Sequence, residues 1–436
     1  MSRRPNTSEG SPLLNGDTET VPTQQDSLQR SPSNMPPSQT FKIAAAMYSF
    51  ITLGLFNSSL GAVLPLLSRH YSLTDLHVSS IFLVGPLGYV LAAQCSDTIH
   101  YRFGQRGIAV AGPVFQILST TFAAAHPAFG WVLCAFAAQG LGTGLLDGSW
   151  CAWAGSMERA NTVSGLLHGS YSVGGAVGPF LVTLLASGGR ARWEWYYILA
   201  GASTLSFIVL VAAFRHEDAT AYRQSKRSSV VGVEIDAKAM FRHRATWFCA
   251  AYFLTYVGTE TAISGWVVSF MWRYRHSSLT QSGLTSSGYW IGMAVGRLTL
   301  GFATDRIGVR RATMLYFCVA IALEALFAVV ASSAVSVVIM VMLGFIMGPL
   351  FPSGVVVLTR LLPGELHVAA VSFVASLGQV GGALLPFAIG AVVDGLGIGV
   401  FRFAILVQTI LSLFIWIAFA RLRPALQPVH TARLED

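Results

Sequence analysis

The chain is written in long, unbroken apolar runs, about twelve of them, each near the 20 residues that a helix needs to cross a hydrocarbon core. They start near Phe41, Val78, Gly107, Phe129, Ser164, Trp195, Ala245, Gly283, Ala312, Val335, Ala369 and Phe401. A membrane-spanning strand barrel would alternate apolar and polar residues, and these runs do not. The expected fold is therefore all-α and integral to the membrane, with twelve transmembrane helices. Charged residues make up only 11% of the chain, apolar ones 53%, and mean hydropathy is +0.58. A soluble domain carries about 25% charged residues.

The runs are not independent of one another. Val173-Gly-Gly-Ala-x-x-Pro179-Phe180 recurs as Val380-Gly-Gly-Ala-x-x-Pro386-Phe387, and 380 − 173 = 207. Asp97 and Asp305, each opening a basic loop that contains glycine, keep the same step, since 305 − 97 = 208. Two matches at one offset near half the chain length point to a duplicated membrane unit, two pseudo-symmetric six-helix bundles with a pathway between them.

The punctuation supports that division. Residues 1–40 are rich in Ser, Pro, Thr, Asn and Gln and are expected to be a disordered cytoplasmic tail. Residues 41–214 form the first bundle, 215–244 a polar cytoplasmic linker, 245–422 the second bundle and 423–436 a short cytoplasmic tail. No signal peptide appears, because the first apolar run starts only at Phe41.

The net charge of +8 follows topology rather than a nucleic-acid partner. With Arg3, Arg4 and Lys42 inside, the loops holding Arg102 and Arg106, Arg223 to Arg244, Arg306 to Arg311, and Arg421 and Arg423 also lie inside. Arg190, Arg192, Arg273 and Arg275 dissent. In the tail, Glu9-Gly-Ser-Pro-Leu13-Leu14 resembles the acidic dileucine signal read by sorting adaptors, which implies a lysosomal or vacuolar membrane; the plasma membrane is the alternative. Asn6-Thr-Ser8 fits the glycosylation pattern but sits in a tail expected to be cytoplasmic.

Cys95, Cys134, Cys151, Cys249 and Cys318 have no metal-ligand spacing and read as free thiols packed as small apolar groups. No catalytic triad, phosphate-binding glycine loop or cofactor motif appears, so the chain is not expected to be an enzyme or to carry a cofactor.

Gly301-Phe-Ala-Thr-Asp305-Arg306-Ile-Gly308-Val-Arg310-Arg311, between the eighth and ninth helices, resembles the loop motif of the major facilitator superfamily. Gly301 would permit close helix contact, and Asp305 can meet a helix N-terminus and a neighbouring arginine, forming a charge latch with Arg306 and Arg310. The first-half copy, Asp97 through Arg102, Gly104 and Arg106, is degenerate: Ala93 replaces the glycine and extra residues separate Asp97 from Gly104. Arg297, in Gly296-Arg297, is expected to support the second latch. The resemblance covers roughly residues 41–422 and implies a mid-membrane substrate cavity with alternating access by rocking of the halves.

A charge at mid-membrane costs about 2.5–3.5 kcal/mol on insertion scales and usually marks a pathway or relay. Asp147 falls near the middle of the fourth helix and Glu260 deep in the seventh. Burial disfavours a carboxylate, so either can bind and release a proton as access alternates; each can also be a structural, hydrogen-bonded acid. Glu324, in the ninth helix, is expected to face the periphery and snorkel.

Gly140 to Gly155, Glu158 and Leu167-His168-Gly-Ser-Tyr171-Ser-Val-Gly174-Gly175 are similar to the fucose:proton symporter branch and its fungal relatives. That likeness implies proton handling by Asp147 and substrate binding by His168 and Tyr171, with His168 also able to relay a proton. His168 as an interfacial residue and Tyr171 as core packing remain the plain alternatives. The branch's second acid, in the first helix, is replaced by Gly61, with Asn57 one turn earlier, so fucose itself is not expected and Glu260 is the candidate to compensate. Asn57, Trp150, Trp266, Trp290 and Gln379 are further candidates to line the cavity, where aromatic faces pack on sugar rings and amides bond hydroxyls.

The expected function is secondary active transport of a small polar solute, a sugar being one case, by proton symport. An uncoupled uniporter or exporter, or a non-transporting nutrient sensor, are the rivals. A monomer in the bilayer is expected, with substrate, protons and sorting adaptors as partners. The symmetry breaks at the acids: the 207-residue offset pairs Asp147 with Gly354, and aligning Gly54 and Gly61 with Gly258 and Gly265 pairs Glu260 with Phe56.

Overall fold

Helix formers run through nearly every segment, and in the computed structural model no strand occurs among the described residues, which are 37–157, 159–188, 194–220, 222–223, 237–363 and 366–423. The first half holds α1 (Pro37–Tyr71), the short α2 (Asp75–Ser79), α3 (Ile81–Ala124), α4 (Phe129–Gly155), α5 (Ala160–Ser187) and α6 (Glu194–Phe214). The second half holds α7 (Arg244–Arg273), α8 (Leu279–Ile307), α9 (Val309–Val329), α10 (Ser333–Met347), α11 (Leu350–Leu361), α12 (His367–Leu396) and α13 (Phe401–Ala420).

Nine of the described helices are long and apolar enough to cross a membrane. Two more, α7 with 30 residues and α8 with 29, are long enough but more polar. The 50-residue stretch Asp75–Ala124 is broken at Gly104, whose φ of +69° an L side chain rarely adopts. The chain turns back there, since a Cβ on Gly107 would meet the side chain of Phe103 at 2.6 Å and that of Ile99 at 2.9 Å. Counting both limbs and the two polar helices as passes reaches the twelve expected from the sequence.

Gly308, with φ +89°, makes the corresponding turn between α8 and α9. Asp305 precedes its glycine by 308 − 305 = 3 residues and Asp97 by 104 − 97 = 7. The four extra residues equal about one helical turn, so the first acid is set one turn back along its helix rather than at its end.

The repeated Gly-Gly motif is structural in both halves. Gly174 of α5 lies on the Ile51 carbonyl of α1, and Gly381 of α12 on the Leu254 carbonyl of α7, each so close that a Cβ would overlap backbone. Gly54 meets Tyr171 backbone and Gly258 meets Gly381 backbone from the opposite side. Small residues on facing helices let backbones approach, which is how membrane helices gain packing energy without a hydrophobic drive.

The start of α1, the Gly104 turn and the end of α6 meet at one face of the molecule, where Lys42 pairs with Glu217 and the Arg106 amide donates to the Glu217 carbonyl at 3.1 Å. On the opposite face the two halves are tied together. Arg273, ending α7, makes a bidentate pair with Asp75 at 2.6 and 2.9 Å. The Leu76 amide donates to Asp394 at 3.3 Å, and Thr280 to Ser187 at 3.1 Å. Gly61 of α1 packs on Ser264 and Gly265 of α7 at the same end.

Two dissenting arginines find a role there. Arg273 is neutralised by Asp75, and Arg275 donates to the Phe327 carbonyl at 2.5 Å while Arg402 donates to that of Ala328 at 2.7 Å. Those carbonyls belong to the last turn of α9, where they have no partner within the helix. Cations at a helix C-terminus are favourable. Arg190 and Arg192 lie outside the described residues.

Candidate functional site

Along α8, the residues Ser287, Trp290 and Arg297 recur at helical spacing and reach toward α5 of the other half. Ser287 accepts the Phe180 amide at 3.0 Å. The Trp290 ring meets Tyr171 edge-on with centroids 6.0 Å apart and stands over Gly175, while its indole N–H donates to Ser264 at 2.9 Å. Arg297 donates to the Ser172 hydroxyl at 3.3 Å and approaches Glu260 of α7 at 3.5 Å.

The first-half acid has different company. Asp147 accepts the Tyr89 hydroxyl at 2.7 Å on one oxygen and faces the Cys151 thiol, one turn along α4, at 3.7 Å on the other. The same sulfur lies 3.8 Å from His168 Nε2, so a thiol sits between the carboxylate and the imidazole. His168 is steadied edge-to-face by Phe50 at 5.9 Å. Asn57 donates to the Tyr171 hydroxyl at 3.2 Å. His168, Tyr171 and Ser172 share one stretch of α5, where the contact from Asp147 through Cys151 to His168 and the contact from Glu260 through Arg297 to Ser172 both arrive. Asn57, Asp147, His168, Tyr171, Glu260 and Trp290 therefore form one group from α1, α4, α5, α7 and α8.

Other expected residues go elsewhere. Trp150 is fully buried and stacks on Phe214 at 4.4 Å. Trp266 is fully buried and donates to the Pro386 carbonyl at 2.9 Å, tying α7 to α12. Gln379 is exposed on α12, with no partner among the described residues. Asp97 accepts the Tyr222 hydroxyl at 2.6 Å. Burial first, then the bond to Asp97 and its charge, push that phenol from its ordinary 10 up to about 12. Arg102, Asp305 and Arg306 are exposed; Arg310 is too, and donates to the Leu422 carbonyl at 3.0 Å. Glu9, Leu13 and Leu14 lie outside the described residues.

Four expectations are corrected. Arg297 does not support the latch at Asp305: eight residues earlier on α8, it reaches Glu260 and the other half instead. Glu324 does not snorkel; it is fully buried on the inward stripe of α9 and accepts the Thr409 hydroxyl of α13 at 2.8 Å. Nothing lies within 4 Å of a Cβ on Gly301, so the close contact expected there is not made. All five cysteines are free, but Cys151 is a polar neighbour of Asp147 rather than an apolar filler. Arg297 was legible as an intramembrane charge; its position beside a recognised loop motif misdirected the reading.

A model of the Major Facilitator Superfamily matches residues 46–271 and again 248–435. The chain belongs to this superfamily. It is 28% identical over 389 residues to "Bypass of stop codon protein 6" of Saccharomyces cerevisiae, covering 82% of this chain and 78% of the relative. It is 26% identical over 186 residues, 39% of this chain and 31% of the relative, to "MFS-type efflux transporter phmH" of Phaeosphaeria nodorum. A crystal structure of the nucleoside transporter NupG superposes with a TM-score of 0.67 at 16% identity, covering 89% of this chain and all (100%) of that one. At that identity the likeness shows the fold alone. The family member is thus a non-enzymatic, multi-pass membrane transporter of a small-molecule substrate.

Proposed function

We propose that this transporter is a proton-coupled symporter of a small polar solute, sugars included, and that Asp147 carries the proton. The observation behind this is the contrast between the acids. Glu260 has a guanidinium beside it, whereas the partners of Asp147 among the described residues are a phenol, a thiol and, beyond the thiol, His168. A carboxylate near mid-membrane without a cation is the group for which uptake of a proton gains most. His168 stands where a proton can pass toward the more exposed part of α5. The bonds that tie the halves at Asp75–Arg273, Leu76–Asp394 and Ser187–Thr280 fit a carrier closed on that side. Asp305, exposed and without a partner among the described residues, then fits a latch that is released in this conformation and remade in the other.

Uptake into proteoliposomes under an imposed pH gradient, across a panel of sugars and other metabolites, tests the reading. Substrate-dependent proton flux that Asp147→Asn abolishes is the expected result; equal flux with and without the gradient would sink the coupling. A second reading, export, is favoured by the relative named as an efflux transporter, and loading the liposomes from inside separates the two. We further propose cytoplasmic termini and vacuolar or lysosomal sorting through Glu9, Leu13 and Leu14. A tagged Leu13→Ala, Leu14→Ala protein that keeps its wild-type location overturns the sorting proposal.

A further inference from the structure

We propose that Arg297 is the anchor for a substrate carboxylate, and that the transported solute is a hydroxylated acid of the sugar-acid class. This rests on reading the cleft between the halves as the transport site.

Two arginines ending or crossing the same bundle are used differently. Arg273 gives both its terminal nitrogens to Asp75 at 2.6 and 2.9 Å. Arg297 touches Glu260 through one nitrogen at 3.5 Å, Ser172 at 3.3 Å and the Met293 sulfur at 3.2 Å. A guanidinium has five N–H donors in a planar fork suited to carboxylates. Its Nε–H and one Nη1–H meet no partner among the described residues. The Arg297 side chain keeps 25% exposure against 12% for Glu260, so the cation is the more accessible of the two. A loose, single-ended pair at a reachable guanidinium leaves room for a second carboxylate.

The surroundings suit a solute that also bears hydroxyls. The Tyr171 hydroxyl accepts from Asn57, which leaves its own hydrogen free to donate, and the Trp290 ring stands beside it. Trp290 is itself buried and walls the group, with its ring over Gly175, so amides and phenols are what meet the solute's hydroxyls. A bidentate guanidinium supplies the discrimination that such contacts lack.

Charge also favours the assignment. Ionised Asp147 and Glu260 with Arg297 sum to a single negative charge when His168 is neutral. Adding a carboxylate and a proton together leaves that sum unchanged. Adding the carboxylate alone doubles it, and charge near mid-membrane is costly. One proton per carboxylate is the stoichiometry that keeps the rocking halves at constant charge.

The test is equilibrium binding to the purified full-length protein in nanodiscs, read by thermal unfolding with glucuronate, gluconate, glucose and acetate. Glucuronate or gluconate should stabilise the wild type, and glucose or acetate much less. Arg297→Gln should weaken that binding at least about tenfold, and Arg297→Lys severalfold, because the charge stays while the fork is lost. Glu260→Gln should tighten it by roughly threefold, since a competitor for the guanidinium is removed. Unfolding without solute shows whether each variant is folded; should Arg297→Gln fail, the Arg297→Lys and Glu260→Gln pair decides. Equal stabilisation by glucose, a response unchanged in the arginine variants, or no response to either acid overturns the proposal. No pH gradient enters this measurement. Glucuronate binding that persists while Asp147→Asn still transports would fault the coupling and leave the carboxylate anchor standing.

Discussion

The two halves share a scaffold and differ in how they bury charge. At the level of Asp147 the second half has Gly354, and a Cβ there would meet the rings of Phe253 and Tyr252 at 2.6 and 2.7 Å. At the level of Glu260 the first half has Phe56, buried and edge-on to Phe136 at 5.3 Å. Each half fills with aromatic packing the position where its partner keeps an acid. The glycines that let helices touch recur in both halves, while each half keeps its acid where the other has none.

That comparison can be broken most sharply at the shared glycines. Gly174→Leu and Gly381→Leu should each destabilise the protein by at least about 3 kcal/mol, because backbone lies where the side chain must go. Thermal unfolding of the two variants should give matching losses; a benign result in one half would deny that the scaffold is duplicated energetically.

Next in size is the asymmetry of the acids. Asp147→Asn should reduce gradient-driven uptake at least tenfold, about 1.4 kcal/mol or more in barrier terms. Gly354→Asp, its counterpart in the second half, should not restore it. Restoration would make the two positions interchangeable.

The tie between the halves comes third. Arg273→Gln removes a bidentate pair whose arginine is 39% exposed, so about 1 kcal/mol is expected, roughly a fivefold shift toward conformations open on that face. Labelling of a cysteine placed at Leu76 should speed up accordingly, and an unchanged rate would assign the closure to the apolar contacts around Gly61.

The smallest effect separates the two loops. Tyr222 holds Asp97, whereas the second-half Asp305 is exposed. With the Tyr222 phenol raised to about 12 from 10, its bond contributes stability below pH 10 that is lost as pH rises toward 12. Tyr222→Phe should flatten that part of the pH–stability curve by a few tenths of a kcal/mol.

Much of this was legible in the residues. Apolar run length gave the all-helical membrane fold, and the 207-residue repeat gave a duplicated unit, whose paired crossings at Gly174 and Gly381 only the structure shows. Asp147, His168 and Tyr171 were singled out by the likeness of their segments to the fucose:proton symporter branch, and the fold sets Asp147 and His168 on either side of Cys151. What the sequence hid was direction. A helix presents its residues all round, and one sequence without contacts does not say which of Trp150, Trp266 or Trp290 faces the cleft. Glu324 was misread for that reason. Cys151 was overlooked because a thiol carries no charge, and only the fold brings it between Asp147 and His168.

The greater polarity of α7 and α8 has a consequence for how the protein is made. Each carries one charged residue of the Glu260–Arg297 pair, and a lone charge at a helix centre costs about 2.5–3.5 kcal/mol to insert. Entering the bilayer as a hairpin, the two segments bring opposite charges that offset one another. Joint entry of the two would therefore cost less than entry of either alone, so the residues that shape the cleft also favour inserting α7 and α8 together.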